Sequence, residues 1–575
     1  IVTVMVWYFH GPDGINKYFM TKLGGEPRTF LDGVPNVHDA LVNNASGFLG
    51  RFMHVIMNMV FPYIILGALF GKSAGGQTLI KLAFRWTRKL RGGPAHAAII
   101  SSAMFGTITG GPIVNVLSTG VLTIPMMIKR GFSRVFAGGM EAAASSGGSI
   151  MPPVMGVAAF ILAAMTAVPY KDVIIAATLP ALAYFLCLFL SASFQSRKQS
   201  IEAFGALTDE MRISGQDVLH LCQIILPMLL ILFLLLTPKD MVGCGFFASL
   251  FGAEKVVENG HCTVISLPWV FQIFQNAAGD AGSTGWWAAA LVAVLLFLDK
   301  DFRSKPVKLL DALAESGITI STLYLMFLAV TVIDVCLNFT GLSKFVAIDV
   351  LRFLLALDLG GEGSTFFQFI ALLMTMLLAV LLGMGMPAVP AYLNVALLMG
   401  PLLVGLGIAT FTAHMFIFYF AVAAAITPPV ALAAFAASTI TKAEPMATGF
   451  SSVRSGIVMF TIPFIFAFYP ELLLIDQALI DPKSPTNAPL PGYENGIDVV
   501  GLAWLLARLI LSLYLVATAL AQFDSKSLGL VEVVSRLVLA LALLMNPEAI
   551  HFAALIFSAG LLTLHIWRAR HFTSD

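Results

Sequence analysis

Two pairs of adjacent prolines interrupt apolar segments of the chain, and they are the residues best placed to create a binding site. Pro152–Pro153 lies in GGSIMPPVMGVAAF, residues 147–160, and Pro428–Pro429 lies in AAAITPPVALAAF, residues 423–435. A proline inside a helix removes a backbone donor and clashes with the preceding turn, which breaks or kinks the helix. The freed carbonyls can coordinate a cation, and the amino-terminal ends of the half-helices favour an anion.

A glycine- and proline-rich stretch precedes each proline pair at nearly the same distance. TGGPIVN (109–115) places Pro112 41 residues before Pro153, and GMGMPAVP (383–390) places Pro387 42 residues before Pro429. Paired interruptions at matching positions point to the binding site of a secondary transporter. Proline kinks used only for packing are the alternative interpretation, and the repeated spacing argues against it.

The composition predicts a membrane protein. Of 575 residues, 58% are hydrophobic and 11% are charged, whereas soluble proteins are about 25% charged. Apolar runs close to the roughly 20 residues that span a bilayer recur along the chain. The net charge of +1 and the lack of a basic tail give no indication of nucleic-acid binding. We therefore expect a polytopic α-helical membrane protein.

The distribution of basic residues predicts the topology. KLAFRWTRKLR (81–91), read as a loop, carries five basic residues and no acidic one, and KRGFSR (129–134) is also basic. The positive-inside rule places both on the cytoplasmic side, so segment 95–127 between them must be a re-entrant hairpin. Segment 365–404 is predicted to be a second hairpin, in a second half of opposite orientation.

The fold class predicted is an all-α polytopic membrane protein with two inverted repeats, each with a re-entrant hairpin and a Pro-Pro-broken helix. The first residues, IVTVMVWYF, are expected to be the end of a truncated transmembrane helix. The predicted organisation has five parts: a truncated membrane region and external loop (1–46), a first repeat (47–200), connecting helices with an external loop (201–308), a second repeat (309–475), and a C-terminal hydrophobic extension (476–575).

Residues 105–156, FGTITGGPIVNVLSTGVLTIPMMIKRGFSRVFAGGMEAAASSGGSIMPPVMG, resemble the large membrane subunit of the tripartite ATP-independent periplasmic (TRAP) transporters. GMGMPAVPAYLNVALLMGPLL (383–403) and ITPPVALAAFAAS (426–438) resemble the second half of that subunit. The resemblance covers about residues 40–475. The C-terminal extension resembles the fused form that works with TAXI-type binding proteins.

This resemblance implies an elevator-type secondary transporter in the bacterial inner membrane. A periplasmic TAXI-type binding protein would deliver a carboxylate-bearing small solute, a dicarboxylate or another small organic acid. An ion gradient, usually sodium in this family, would drive uptake. The small membrane subunit would be fused or separate. No other cofactor is expected.

The resemblance also implies sodium sites between each hairpin tip and its broken helix. One site would use Thr109, Gly110, Asn115, Gly148 and Met151, and the other would use Gly383, Gly385, Thr427 and Pro428. Most of these residues would contribute backbone carbonyls. This chain carries Gly111–Pro112 where many members of the family carry small hydroxyl residues.

Six residues are candidates for contact with the transported solute: Pro112, Asn115, Glu141, Ser145, Ser146 and Pro387. A carboxylate within a membrane segment is a functional candidate by default, so Glu141 could instead carry a proton or help to hold a cation. Placement near the cytoplasmic interface is a further alternative for Glu141, and helix packing is one for the two serines.

Two other functions fit the sequence less well than transport. An intramembrane enzyme is disfavoured because the sequence has no H-E-x-x-H motif and no close pair of membrane-embedded aspartates. A channel is disfavoured because inverted re-entrant repeats suit alternating access. Cys244 and Cys262 share the predicted external loop, and their spacing leaves open whether they form a disulfide.

Overall fold

A computed structural model of the chain describes residues 51–205, 211–237, 255–258, 261–264, 269–340, 365–475, 499–545 and 548–571, together with positions 349 and 352. The predictions for residues 1–46 and for Cys244 lie outside the described residues. Within that part, ten helices are long and apolar enough to cross a membrane. The predicted polytopic helical architecture is confirmed.

The first repeat begins with a span whose backbone changes from α to π and back to α. Its helices are α1 (Arg51–Val55), a π-helical turn (Ile56–Val60), α2 (Phe61–Lys72), α3 (Gly75–Thr87), α4 (Gly93–Thr109), α5 (Pro112–Lys129), α6 (Arg134–Gly148), α7 (Val157–Thr166) and α8 (Tyr170–Lys198). Helices α4 and α5 form the first hairpin, close to the predicted bounds. Helices α6 and α7 are the two halves of the first broken helix.

The connecting region contains helices and one short β-hairpin, which departs from a purely helical chain. Its elements are α9 (Gly215–Leu236), β1 (Lys255–Glu258), β2 (His261–Val264), α10 (Trp269–Ala277), α11 (Ala281–Leu296) and α12 (Lys300–Arg303). The two strands are antiparallel, with Lys255 opposite Val264.

The second repeat has the same order of long helix, hairpin and broken helix as the first. Its helices are α13 (Val307–Thr340), α14 (Thr365–Gly383), α15 (Ala388–Gly405), α16 (Thr410–Ala423), a 3₁₀ turn (Ala424–Ile426), α17 (Leu432–Thr441), α18 (Pro445–Ser455), α19 (Val458–Phe468) and a second 3₁₀ turn (Pro470–Leu473). Helices α14 and α15 form the second hairpin. Helices α16 and α17 flank the second break.

The C-terminal extension contributes three helices: α20 (Val499–Ala521), α21 (Leu530–Ala542) and α22 (Glu548–His571). Helix α20 packs along α8, and α21 packs between α20 and α22. All three helices lie within the hydrophobic extension expected at 476–575.

The prediction of a loop at 81–91 is wrong for most of its length, because helix α3 runs to Thr87. Leu79, Ala83 and Thr87 are buried along one face of this helix, while Arg85 and Trp86 are exposed on the other. The basic residues that indicated a loop therefore lie opposite the buried apolar face of an amphipathic helix. Asp217 of α9 fixes α3 through a 2.9 Å ion pair with Lys81.

Helix α6 lies at the centre of the molecule and packs against helices of both repeats. Gly148 of α6 crosses Gly106 of α4 so closely that a Cβ atom added at Gly106 would lie 2.3 Å from Cα of Gly148. On another side, a Cβ atom added at Gly139 would lie 2.5 Å from Oγ of Ser451 in α18. Small residues allow such close approach between membrane helices.

We expect Gly106→Ala to destabilise the protein, because the added methyl group would overlap the Gly148 backbone, which cannot move independently of α6. Overpacking of this kind costs about 1–3 kcal/mol. Gly71→Ala in α2 is the matched control, because a Cβ atom added there would have no neighbour within 4 Å and alanine favours helix. The melting temperature of the purified protein in detergent should fall for Gly106→Ala only. Equal melting temperatures would contradict the close crossing.

Candidate functional site

The tip of the first hairpin lies against the first break. Gly110 adopts a left-handed conformation with φ of 60°, and a Cβ atom there would lie 2.6 Å from the carbonyl oxygen of Met155. The hydroxyl of Ser149 donates to the Gly110 carbonyl at 2.9 Å. Pro112 is the first residue of α5, a position where proline is favoured because its missing N–H would be unpaired anyway.

The tip of the second hairpin lies against the second break in the same way. Gly385 has φ of 78°, and a Cβ atom added there would lie 3.4 Å from the side chain of Val430. A Cβ atom on Gly383 would lie 2.9 Å from Cβ of Ala424, which begins the 3₁₀ turn. Pro387 is the N-cap residue of α15. Each tip therefore meets the interrupted backbone of its own repeat, and both Pro-Pro bonds in these interruptions are cis.

The residues of the implied first sodium site fall into two adjoining groups. Thr109 and Gly110 lie at the tip, where the Thr109 hydroxyl donates to the Phe105 carbonyl at 3.3 Å. Asn115 and Gly148 lie at the α4–α6 crossing, and Met151 donates its backbone N–H to the Gly148 carbonyl at 3.2 Å. Ser149 joins the two groups through its hydrogen bond to Gly110.

In the second repeat, the residues of the implied site lie around the start of the break. The Thr427 hydroxyl donates to the Ala423 carbonyl at 2.8 Å, and Pro428 packs against Gly449 of α18. Sequence reasoning missed Asn394, whose Oδ1 is buried without a hydrogen-bond partner among the described residues. Its position seven residues after Pro387, on an otherwise apolar helix, was the available signal.

Glu141 is completely buried and surrounded by hydroxyl groups from three helices. Its Oε1 accepts from Thr119 at 2.5 Å and from Ser102 at 2.8 Å, and its Oε2 accepts from Thr123 at 2.6 Å. Ser145, one turn further along α6, is 3.4 Å from Oε1. The carboxylate therefore connects α6 to both arms of the first hairpin.

Asn115 belongs to the same polar network. Its Nδ2 donates to the Ser102 carbonyl at 2.8 Å and is 3.4 Å from the Ser145 carbonyl. Thr119 lies between Asn115 and Glu141, because its hydroxyl is close to Oδ1 of the former and Oε1 of the latter. The three hydroxyl residues Ser102, Thr119 and Thr123 were missed by sequence reasoning, since scattered serines and threonines carry no periodic signal.

Ser146 connects the two broken helices directly. Its hydroxyl donates to the Val422 carbonyl of α16 at 3.1 Å, and its side chain is fully buried, as is that of Ser145. In the second repeat, Ser452 of α18 donates to the Ile426 carbonyl at 3.1 Å. Both hydroxyl groups therefore donate to backbone carbonyls at or beside the second interruption.

The site is therefore a centre of backbone and hydroxyl oxygens where two hairpin tips meet two broken helices. It contains one carboxylate, that of Glu141, whose described partners are all hydroxyl groups. Irregular backbone at membrane depth is tolerated where it is buried in protein or lines a cavity. Oxygen-rich surroundings of this kind can hold a small cation or a proton.

Comparisons with known proteins also indicate a membrane transporter. Residues 37–479 match the family model described as "Tripartite ATP-independent periplasmic transporter, DctM component". The "Uncharacterized protein y4mL" of Sinorhizobium fredii is 25% identical over 187 residues, which are 32% of this chain and 44% of that protein. The "C4-dicarboxylate TRAP transporter large permease protein DctM" of Vibrio cholerae is 26% identical over 144 residues, 25% of this chain and 31% of that protein.

A third relative and a solved structure are also similar. The "Isethionate TRAP transporter permease protein DctMQ" of Oleidesulfovibrio alaskensis is 36% identical over 97 residues, 16% of this chain and 15% of that protein. The matched regions thus span less than half the length of these curated relatives. The YdaH transporter of Alcanivorax borkumensis aligns at a TM-score of 0.49 and 14% identity, over 81% of this chain and 97% of that one.

The fold and the site define a multi-pass membrane transporter component with two inverted repeats. The family match covers more than half of the chain, so the chain belongs to the DctM family of TRAP transporter large membrane components. It is an inner-membrane protein and not an enzyme.

Proposed function

We propose that this chain is the permease of a secondary transporter that imports a small carboxylate-bearing solute delivered by a periplasmic binding protein. The observation that carries the proposal is the contact of each hairpin tip with the broken helix of its own repeat. Two relatives are named for uptake of C4-dicarboxylates and of isethionate, which are small organic anions. The amino-terminal ends of half-helices favour anionic groups of this kind.

The proposed partners are a TAXI-type binding protein and a small membrane subunit. The name DctMQ of the isethionate relative supports a fused small subunit as one arrangement. The C-terminal helices α20 to α22 lie beyond the family match at residues 37–479, and they support the TAXI-type fused form.

The proposed motion is of the elevator type. The two hairpins and the two broken helices would move together as one unit, which carries the solute across the membrane. The buried contacts of α6 with α4, α5, α17 and α18, together with the Ser146–Val422 hydrogen bond, support a unit that moves as a whole.

Sodium at the two tips is the proposed coupling ion. The donor set suits it, because hard cations prefer oxygen ligands and these tips present backbone carbonyls together with the hydroxyl groups of Thr109, Ser149 and Thr427. Such sites need no titrating side chain, so we expect uptake to depend weakly on external pH.

Proton coupling through Glu141 is the second candidate, and one observation favours it. The carboxylate is fully buried, and its four described partners are hydroxyl groups, which can donate to a carboxylate or accept from a carboxylic acid. A group whose partners serve both protonation states can take up and release a proton without repacking. Its position between the hairpin and the broken helix would couple that event to the site.

We expect an inward sodium gradient alone to drive concentrative uptake into proteoliposomes supplied with the binding protein. A proton gradient alone should not drive it. Glu141→Gln keeps the size of the side chain and removes its titration, and it should retain sodium-driven uptake. The initial rate of radiolabelled solute uptake is the measurement, with the two gradients imposed independently.

The same experiment distinguishes sodium coupling from proton coupling and from a channel. Uptake driven by a proton gradient alone and abolished in Glu141→Gln would overturn the sodium sites and establish the proton mechanism. Equilibration of the solute without accumulation under either gradient would indicate a channel and would contradict the proposed function itself. Glu315→Gln is a matched control, because Glu315 is exposed and forms a surface ion pair with Lys72 far from the tips in sequence.

A further inference from the structure

A cavity of about 330 Å³ lies beside the first broken helix, at its junction with the C-terminal extension. One side is formed by the start of α6 and by α18, and the other by α8 and the end of α20. It is separate from the hairpin tips and uses none of the residues assigned above to ion or solute binding. The basic segments KRGFSR (129–134) and RKQ (197–199) place this end of the molecule on the cytoplasmic side.

The polar lining of this cavity suits an anion. It consists of one guanidinium, one amide and four hydroxyl groups, from Arg454, Gln195, Ser133, Ser191, Ser451 and Ser455. No aspartate or glutamate is among the lining residues, so the charge of Arg454 is not balanced within the cavity. A guanidinium has a planar set of five N–H donors that matches the oxygens of a phosphate group.

The positive charges at the neighbouring helix ends also favour an anion in this cavity. Arg454 donates to the Leu520 carbonyl, and Lys198 donates to the Ala521 carbonyl at 2.9 Å, so two cations meet at the end of α20. Each cation keeps further N–H groups for another acceptor. Ser133 is the N-cap residue of α6, and the N-terminal end of that helix is positive.

The remaining lining is apolar, which suits a ligand with a hydrocarbon part. Val135, Phe136, Phe450 and Leu520 complete much of the wall. Phe450 is 62% exposed, although it lies in a helix counted among the membrane spans, so it faces the surroundings of the protein beside the polar groups. Polar groups at headgroup level next to an apolar wall are the features of a phospholipid site.

We propose that this cavity binds the phosphate group of an anionic phospholipid from the cytoplasmic leaflet. Arg454 and Gln195 hold the phosphate oxygens, and the acyl chains lie against Phe450. The lipid then bridges α6 and α18 on one side and α8 and α20 on the other, at the junction with the C-terminal extension.

Native mass spectrometry of the detergent-solubilised full chain, titrated with dioleoyl-phosphatidylglycerol, tests this proposal. We expect one phosphatidylglycerol to bind at least about tenfold more tightly than dioleoyl-phosphatidylcholine, a difference of about 1.4 kcal/mol. Arg454→Gln should remove this preference. Because that variant also loses the bond to Leu520, Gln195→Leu provides a second test that keeps the bond, and it should weaken the first binding event about threefold.

Lys305→Gln is the matched control, because Lys305 is an exposed basic residue on a different connection, outside the cavity lining. It should bind phosphatidylglycerol as the wild type does. Equal binding of the two lipids, or wild-type binding by either cavity variant, would overturn the proposal. Full competition by millimolar glycerol 3-phosphate would assign the cavity to a soluble phosphate compound and overturn the lipid assignment.

Discussion

Substitution of Gly110 by alanine is expected to reduce the initial rate of solute uptake by at least about tenfold. Gly110 has φ of 60°, and an alanine in this left-handed region costs about 1–2 kcal/mol. The new Cβ atom would also lie 2.6 Å from the Met155 carbonyl oxygen, so the tip must move away from the first break. Since about 1.4 kcal/mol changes an equilibrium tenfold, the two effects together should remove most of the transport-competent state.

Gly407→Ala is the matched control for the backbone strain. Gly407 has φ of 83°, but it lies in the turn between α15 and α16, and a Cβ atom added there would have no neighbour within 4 Å. It should retain most of the wild-type rate. Uptake is measured with equal amounts of reconstituted protein, after the melting temperatures of both variants have been compared. Wild-type uptake by Gly110→Ala would contradict a functional contact between tip and break.

Gly385→Ala in the second hairpin extends this comparison. Its φ of 78° imposes similar strain, but the nearest neighbour of the added Cβ atom is the Val430 side chain at 3.4 Å, an ordinary contact. We therefore expect a smaller loss than for Gly110→Ala, between the rates of Gly110→Ala and Gly407→Ala. A ranking in this order would assign the excess loss at Gly110 to the contact with Met155.

The two hairpins and the two breaks could be predicted from the sequence because their signals are strong and local. Glycine and proline lie within two residues of each other at each tip, and adjacent prolines interrupt runs that otherwise continue as helix. The predicted hairpin 365–404 differs by one residue at its end from α14 and α15. Repetition of the pattern supplied the inverted architecture without any knowledge of side-chain contacts.

Helix α3 could not be predicted in the same way because two principles disagreed there. Its basic residues satisfy the charge rule for a cytoplasmic loop, and the same residues form the exposed face of an amphipathic helix. The buried face, which includes Leu79 and Ala83, decides between them only when its packing partners are known.

The environment of Glu141 was beyond the sequence for a different reason. The chain positions of Ser102, Thr119 and Thr123 are 18 to 39 residues from Glu141, and only the folded hairpin brings their hydroxyl groups to one carboxylate. Sequence reasoning identified the carboxylate itself, because a charge in an apolar segment is conspicuous. It could not predict the network of hydroxyl groups around that carboxylate.

The buried contacts of the C-terminal extension could not be predicted from the sequence either. The sequence predicted a hydrophobic extension, but it did not predict the complete burial of Arg536. That guanidinium binds Asp524 at 3.0 Å and Glu532 at 3.1 Å, and Glu532 is also 2.7 Å from Nδ1 of His565. These contacts hold α21 to its neighbours, since an unpaired charge in that position would be strongly destabilising.

Dependence on a separate binding protein is the property that distinguishes the proposed permease from a carrier that works alone. Liposomes that contain this chain and any small subunit it requires, but no binding protein, should import no solute above background under an inward ion gradient. Addition of the partner periplasmic binding protein, loaded with radiolabelled solute, should start saturable and concentrative uptake. A binding protein from an unrelated ABC importer, loaded with its own labelled ligand, is the control and should give none. Robust concentrative uptake of free solute by the membrane protein alone would contradict the proposed function.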